Sequence, residues 1–471
     1  MRKVELNVAK DLAEMGELDK AYELTDKWLN KDPNDTDFLT LLCYIMQKSH
    51  KLPVAYHLAK TLTAKLPREP SAWINLGLAC NELWQEKESE RAYKRALEYS
   101  RTEESRSMAL INMTALLIDT GRFKEAEGYA REALKINKNN EKATANLGFC
   151  QLARRQWNPG WKNYHKSLGH TDWREKTQYN DEPEWDGKSK GKVVLYGEQG
   201  LGDELSFASM VPDALAHADI VLDVDYRLKN LFERSFPDAK VYGTRGQKNL
   251  RWDKEDTEPD YSLALGQCGE FYRNTDKSFP GTPYLQADLD RITMWKALWA
   301  TKKKPVIGIA WRGGIPRTGA KYRQWDLEQL LPIFQSVDAH WVSLQYKSAG
   351  KEISEFKKKY PDIDLVEYPH ATLTNDYDDT AGLVASLDMV ICMQTAVTHL
   401  AGAMGIPVWT FVPNNSQWRY GTSDRKDFVW AKSVRLIRQQ KRGEWKADIK
   451  QAAEELSVNF PRVSKRTTKA A

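Results

Sequence analysis

What this 471-residue sequence has little of narrows its class at once. Cysteine is scarce: Cys43, Cys80, Cys150, Cys268 and Cys392 are the five, and no two form a CxxC pair. That scatter argues against a zinc ribbon or a disulfide framework and fits reduced, buried thiols. No apolar run approaches the ~20 residues a membrane helix needs. The opening "MRKVELNVAKDLAEMGELDK" carries acids where a secretory leader would be apolar. Charge of one sign is also lacking, since the net balance is only +5. That is too small to argue by itself for nucleic acid. The short basic clusters "TKKKP" (301–305) and "QQKRGEWK" (439–446) suit solvated faces or helix ends. With 41% hydrophobic and 29% charged residues, the chain is expected to be soluble and cytoplasmic, with two to four domains.

What is present first is a repeat. Pro33 and Pro67 are spaced like Ala21 and Ala55, and the same step leads on to Ser89. "AWINLGLA" supplies Trp73, Leu76 and Gly77, followed by Tyr93 and Ala96. A later copy gives Leu110, Met113, Gly121, Ala126 and Ala133, and "ANLGFC" adds Leu147 and Gly148. A period of about 34 residues with this order of large, small and aromatic positions is the tetratricopeptide signature. Small residues let two antiparallel helices approach, larger ones fill the gap, and proline ends the second helix. About five units are expected over 1–168, with a link three residues longer between the third and fourth. Cys80 and Cys150 fall on inner faces as core filling. Stacked helix pairs make a concave surface for peptides or protein partners. A spacer or a dimer surface would have the same pattern.

After a polar segment at 169–191, expected as a linker, the period changes. Short apolar runs stand at 192–196, 220–224, 262–265, 306–311, 341–346, 364–367, 389–393, 408–412 and 434–437, and helical stretches separate most of them. This alternation predicts parallel sheets with ligand loops at the carboxyl ends of the strands. A break between 288 and 302 divides the region into two α/β units, 192–300 and 301–456, with a basic tail at 457–471. Two such units facing each other would leave a cleft.

Three loops carry the chemistry. "GEQGLGD" (197–203) reads GxxGxG, a poor match to the dinucleotide fingerprint GxGxxG. "GKS" at 187–189 is no Walker loop, because residue 182 is Glu where that motif needs glycine. Gly200 and Gly202 still allow close backbone approach to a ligand. Asp203 and Glu204 open the next helix, where Asp203 is either a cap or a base facing the cleft. "AWRGGIPRTGAKYR" (310–323) places Arg312, Arg317, Lys321 and Arg323 after a strand, as a phosphate site or as surface charge. "ICMQTAVTHLAGAMGIPVW" (391–409) runs a buried strand into a small-residue helix. Its first amides, near Thr395, Ala396 and Val397, form an anion site, and His399 is either structural or part of it.

Taken together, these segments resemble bacterial and phage proteins that fuse tetratricopeptide repeats to a heptosyltransferase-like, family 9-like glycosyltransferase domain of the GT-B fold. The matching pieces, in order, include "PEWDG", "GEQGLGDELSFASMVP", "TPYLQAD", "AWRGG", "VSLQ", "DYDDTAGLVASLDMVICMQTAVTHLAGAMGIPVW", "QWRYG" and "VRLIRQQKRGEW". They span roughly residues 146–456. The resemblance implies an α-solenoid followed by two Rossmann-like α/β domains, the first on the acceptor side and the second binding a nucleotide sugar. It implies that Asp203 is the base, with Glu198 and Glu204 in reserve. It places Arg312, Lys321 and Arg323 around the donor phosphates, Gln345 near the nucleotide, and Thr395, Ala396, Val397 and His399 at the pyrophosphate. Gln394 stands where the family has Asp, and a neutral amide cannot accept a proton or hold a cation. The expected activity is inverting sugar transfer to a hydroxyl, with no metal and no cofactor beyond the nucleotide-diphosphate sugar substrate. The acceptor would be a protein, peptide or glycan held by the repeats. Two alternatives stand beside it: a binding scaffold with a vestigial glycosyltransferase half, and a glycosyltransferase acting on modified nucleic-acid bases.

Overall fold

The computed structural model describes residues 2–170, 174–247, 252, 256, 258–314, 320–414 and 416–460, and all of their side chains except that of Lys321. Arg317 and most of the expected basic tail therefore lie outside the described residues. The chain divides into two compact units, Met1–Arg154 and Arg155–Ala471. Among the described residues, no helix is long and apolar enough to cross a membrane.

The first unit is a run of antiparallel helix pairs, the tetratricopeptide-like solenoid. Its helices are α1 (Arg2–Glu14), α2 (Leu18–Leu29), α3 (Thr36–Lys48), α4 (Leu52–Lys65), α5 (Pro70–Glu82), α6 (Glu86–Tyr99), α7 (Glu103–Asp119), α8 (Phe123–Ile136) and α9 (Glu141–Ala153). The repeated small positions are where pairs touch: Ala21, Ala55, Ser89 and Ala126 are all fully buried. Gly77 is required by its neighbour, because a Cβ there would stand 2.6 Å from Cδ1 of Tyr93. The Ser89 hydroxyl then donates to the Gly77 carbonyl at 2.7 Å and closes the same contact. Side-chain caps start several helices, with Asp35 accepting from Phe38 N, Thr102 from Ser105 N and Asn140 from Ala143 N. The three residues expected in a longer link are taken up as helix instead: α7 has 17 residues where α3, α5 and α9 have 13.

The second unit starts earlier than the expected boundary after residue 168, because α10 (Trp157–His165) belongs to it. The apolar face of α10 explains this. Trp161 donates its indole N–H to Arg273 O at 2.8 Å and packs edge-on against Trp418 at 5.5 Å. His165 sits between Glu184 (2.6 Å) and Glu270 (2.8 Å). The stretch expected as a linker is packed as well. Trp185 is buried, and the neighbouring Glu184 forms a backbone bridge to Ser262. Tyr179 donates to Asp223 at 2.7 Å.

Two all-parallel sheets follow. The first holds β1 (Lys192–Tyr196), β2 (Asp219–Asp223), β3 (Lys240–Tyr242) and β4 (Tyr261–Ala264), in the order β3-β2-β1-β4. β3, only three residues long, went unseen in the sequence. The second holds β5 (Val306–Ala310), β6 (His340–Ser343), β7 (Leu365–Glu367), β8 (Met389–Met393), β9 (Val408–Val412) and β10 (Val434–Arg438), in the order β10-β9-β8-β5-β6-β7. Helices of the first half are α11 (Leu201–Phe207), α12 (Val211–Leu215), α13 (Lys229–Ser235) and α14 (Cys268–Tyr272). Those that follow are α15 (Leu289–Ala300), α16 (Leu331–Ser336), α17 (Gly350–Lys359), α18 (Pro369–Thr372), α19 (Tyr377–Ala385), α20 (Ala396–Ala403) and α21 (Lys446–Asn459). α21 runs past residue 456, the expected domain end. The second sheet packs on a tryptophan-rich core in which Trp325 meets Phe411 at 4.7 Å and Trp445 at 5.8 Å. All five cysteines are buried and unpaired with one another.

Candidate functional site

Sheet order decides where a ligand can sit. In an open parallel sheet, the crevice opens where the strand order reverses direction. In the first sheet that point lies between β1 and β4, and the loop leaving β1 is residues 197–200. In the second it lies between β5 and β8, and the loops leaving them carry residues 311–314 and 394–395. All three loops singled out in the sequence thus stand at switch points.

The loops meet. α11 packs against α20 so closely that a Cβ on Gly202 would lie 3.3 Å from Ala396 Cα and 3.2 Å from His399 Cδ2. A Cβ on Gly313 would overlap the Thr395 side chain. Glycine at 202 and 313 is therefore the condition for bringing the three loops to one place.

Asp203 occupies the first turn of α11. Its Oδ2 accepts from Gly200 N at 3.2 Å, closing the turn, and its Oδ1 pairs with Arg419 Nη1 at 2.5 Å. The helix is capped at Gly200, so Asp203 is the third helical residue rather than the cap itself. Its side chain keeps 15% exposure, whereas Arg419, which follows β9, keeps 3%. Thr395 caps α20, its hydroxyl accepting from Val397 N at 3.3 Å. Thr395 and Ala396 are half-buried, and Val397 is buried behind them.

The reserve carboxylates are buried, unlike Asp203. Glu198 is buried against Arg174, with Nη2 at 3.0 Å, and burial pushes its carboxyl upward despite that cation. Glu204 is buried with Arg245 Nε at 2.8 Å and accepts from Asp225 N at 2.9 Å. Burial pushes it up to about 8. Neither side chain is free to reach an acceptor, which corrects their assignment as reserve bases.

The residues expected on the donor side divide in the same way. Gln345 is buried and turned inward: its Oε1 accepts from Trp311 N (2.7 Å) and Arg312 N (3.1 Å), and its Nε2 donates to Arg312 O (3.2 Å). It fixes the loop after β5 rather than facing that loop's open side. Arg312 is half-buried and pairs with Glu352. Arg323 is buried below the loop, donates to Gln394 O at 3.4 Å, and has its guanidinium pushed down by burial. Gln394 is buried, and its Oε1 has no hydrogen-bond partner among the described residues. His399 is enclosed between Ser206 Oγ at 2.7 Å and Tyr420 OH at 3.0 Å. Burial and then Arg419 hold it well below its usual range, so it is neutral. It therefore brings no positive charge to an anion and instead joins α11 to α20. The side chain of Lys321 lies outside the described residues.

Arg419 is the residue that sequence reasoning missed. It lies inside the quoted "QWRYG", but nothing local marks its partner. Arg245 and Arg174, which hold the two buried carboxylates, were missed for the same reason.

No family model matches the chain. It is 31% identical over 289 residues to the protein FlbA of Caulobacter vibrioides, a match covering 57% of this chain and 47% of FlbA. The chain thus spans about half the length of that relative. Among solved structures, it is similar to TTC0263, a thermophilic tetratricopeptide protein of Thermus thermophilus. That likeness has 19% identity and a TM-score of 0.33, covering 36% of this chain and 90% of the other. It is also similar to YrrB, described as a tetratricopeptide protein with an unusual peptide-binding site. There the identity is 18% and the TM-score 0.28, covering 35% of this chain and 82% of the other.

Proposed function

We propose that the second unit is a GT-B-type glycosyltransferase that moves a sugar from a nucleotide-diphosphate donor to an acceptor hydroxyl. The observation that carries this reading is Asp203 itself: a partly exposed carboxylate in the first turn of α11, the helix that packs against α20 beside Ala396. A carboxylate beside the reacting hydroxyl serves as base. Amides and guanidinium groups at the other wall offset the charge of a departing diphosphate, each well-placed donor contributing about 3 kcal/mol. Of the residues first assigned to the donor, Thr395 and Ala396 offer amides, Val397 N being taken by the Thr395 hydroxyl, and Arg312 offers a cation already paired with Glu352. Gln345, Gln394, Arg323 and His399 shape the wall from behind. The solenoid offers a surface for a protein, peptide or glycan acceptor.

Calorimetric titration with UDP, GDP, ADP and CMP sugars tests the donor side, and Asp203→Asn tests the chemistry. Transfer is expected to fall by a factor of about a hundred or more while donor affinity stays within about twofold. Retained turnover removes Asp203 from the role.

A second reading is favoured by Gln394, a neutral residue whose buried oxygen has no partner among the described residues, and by the inward commitments of Gln345 and His399. In it the unit is a vestigial domain on a tetratricopeptide scaffold. Binding of none of the four nucleotide sugars is its expected result.

A further inference from the structure

The residue left unexplained is Arg419. Its side chain is only 3% exposed, and its Nε is buried with no hydrogen-bond partner among the described residues. Burying a guanidinium with one N–H unmade lowers stability unless its charge is used elsewhere. Its other contacts hold it still. Nη2 donates to Gln417 Oε1 at 2.8 Å, and the guanidinium lies 5.6 Å from the Phe207 ring centre and 5.4 Å from that of Trp418. Phe207 belongs to the first half and Trp418 to the second, so the cation is clamped by both. Its Nη1 pairs with one oxygen of Asp203. The other oxygen receives the longer, weaker bond from Gly200 N at 3.2 Å.

Resting on the glycosyl-transfer reading, we infer that Arg419 is a positioning residue that aims the Asp203 carboxylate. Arg419 from the second half holds Oδ1, so that Oδ2 is the oxygen presented to the acceptor. In the step this serves, the acceptor hydroxyl gives its proton to Oδ2 as its oxygen bonds the anomeric carbon. The bond from that carbon to the diphosphate oxygen breaks, and the nucleoside diphosphate leaves with the electron pair. The base is supplied by one sheet and aligned by the other, so proton removal depends on the two halves being together. The arrangement also accounts for the rigid aromatic clamp, because small misplacements of a catalytic group cost large factors in rate.

The experiment uses the full chain, with UDP and GDP as calorimetric probes and steady-state transfer with whichever nucleotide sugar the wild-type chain turns over. Arg419→Gln is expected to lower kcat about a hundredfold while probe affinity and donor KM stay within about twofold. Arg419→Lys is expected to recover about tenfold of that loss, because it restores charge without the fork geometry. Adding Asp203→Asn to Arg419→Gln is expected to cost nothing further, since the two act as one unit. If Arg419→Gln does not fold, exposed Gln417→Ala loosens the same guanidinium, with an expected kcat loss of about three- to tenfold at unchanged probe affinity. Weakened probe binding with unchanged kcat would make Arg419 a donor contact and overturn the inference. So would equal kcat in the Gln and Lys variants, or an unchanged kcat in Gln417→Ala. Failure of the wild-type chain to bind either probe or turn over any nucleotide sugar would overturn glycosyl transfer, and the aiming role with it. Asp203→Asn with full turnover would remove the base, and with it the aiming role, while leaving glycosyl transfer standing.

Discussion

The two units treat charge in opposite ways. In the solenoid, the cation of each pair keeps contact with solvent, as Arg122 does against Glu90 (37% and 24% exposed) and as Arg131 (53%) and Arg154 (29%) do against the buried Glu127, and apolar residues fill the inside. In the α/β unit, Arg174 and Glu198 form an ion pair with side chains 0% and 1% exposed, Glu198 lying in the loop that leads into α11 and Asp203. A buried ion pair is weak support for stability. Its position in the loop that leads to Asp203 argues that it fixes that loop's shape. The lesson is that the solenoid keeps its architecture through close helix contacts, whereas the α/β unit buries polar groups where loops must be held in one arrangement.

The largest effect should come from breaking that buried pair. Arg174→Met leaves Glu198 without its cation and is expected to cost about 3–5 kcal/mol in urea denaturation. A loss below about 1 kcal/mol would erase the contrast with the solenoid's surface pairs. Next comes the solenoid's own critical contact. Gly77→Ala drives a methyl into the Tyr93 ring and is expected to cost about 2–3 kcal/mol, with part of the loss recovered when Tyr93→Leu is added.

A third test exploits His165 on α10. Burial opposes its charge, but Glu184 and then Glu270 outweigh it and raise its titration to about 9. The folded form therefore holds this proton more tightly than the unfolded chain. The stabilisation is complete below the ordinary imidazole value of 6.5 and is lost as pH rises through about 9. With partial exposure discounted, the loss is expected to be about 2 kcal/mol across that window. His165→Gln should flatten this part of the stability–pH curve; an unchanged slope would contradict the assignment. The smallest effect belongs to the solenoid surface, where Arg122→Met is expected to cost under about 1 kcal/mol and to become neutral in high salt.

Much of the architecture was legible because it is local. β1, β8 and β9 lie where their apolar runs stand, and the small-residue helix expected after β8 is α20. Elsewhere the deciding partner is distant in the chain. The segment 174–191 has linker composition, yet Trp185 and Tyr179 find the first sheet. Glu198 and Glu204 stand beside Asp203 in sequence and share its chemistry, but the turns of loop and helix send them inward to Arg174 and Arg245. His399 follows Thr395 at helical spacing, yet it is claimed by Ser206 and Tyr420.

The helix pairs, most of the parallel strands and the three loops follow from local sequence, because spacing and side-chain size act over a few residues. Tertiary structure alone decided which carboxylate stays exposed, which histidine is neutral, and that Arg419 reaches Asp203. Charge and burial depend on whatever the fold brings alongside, and that neighbour can come from anywhere in the chain.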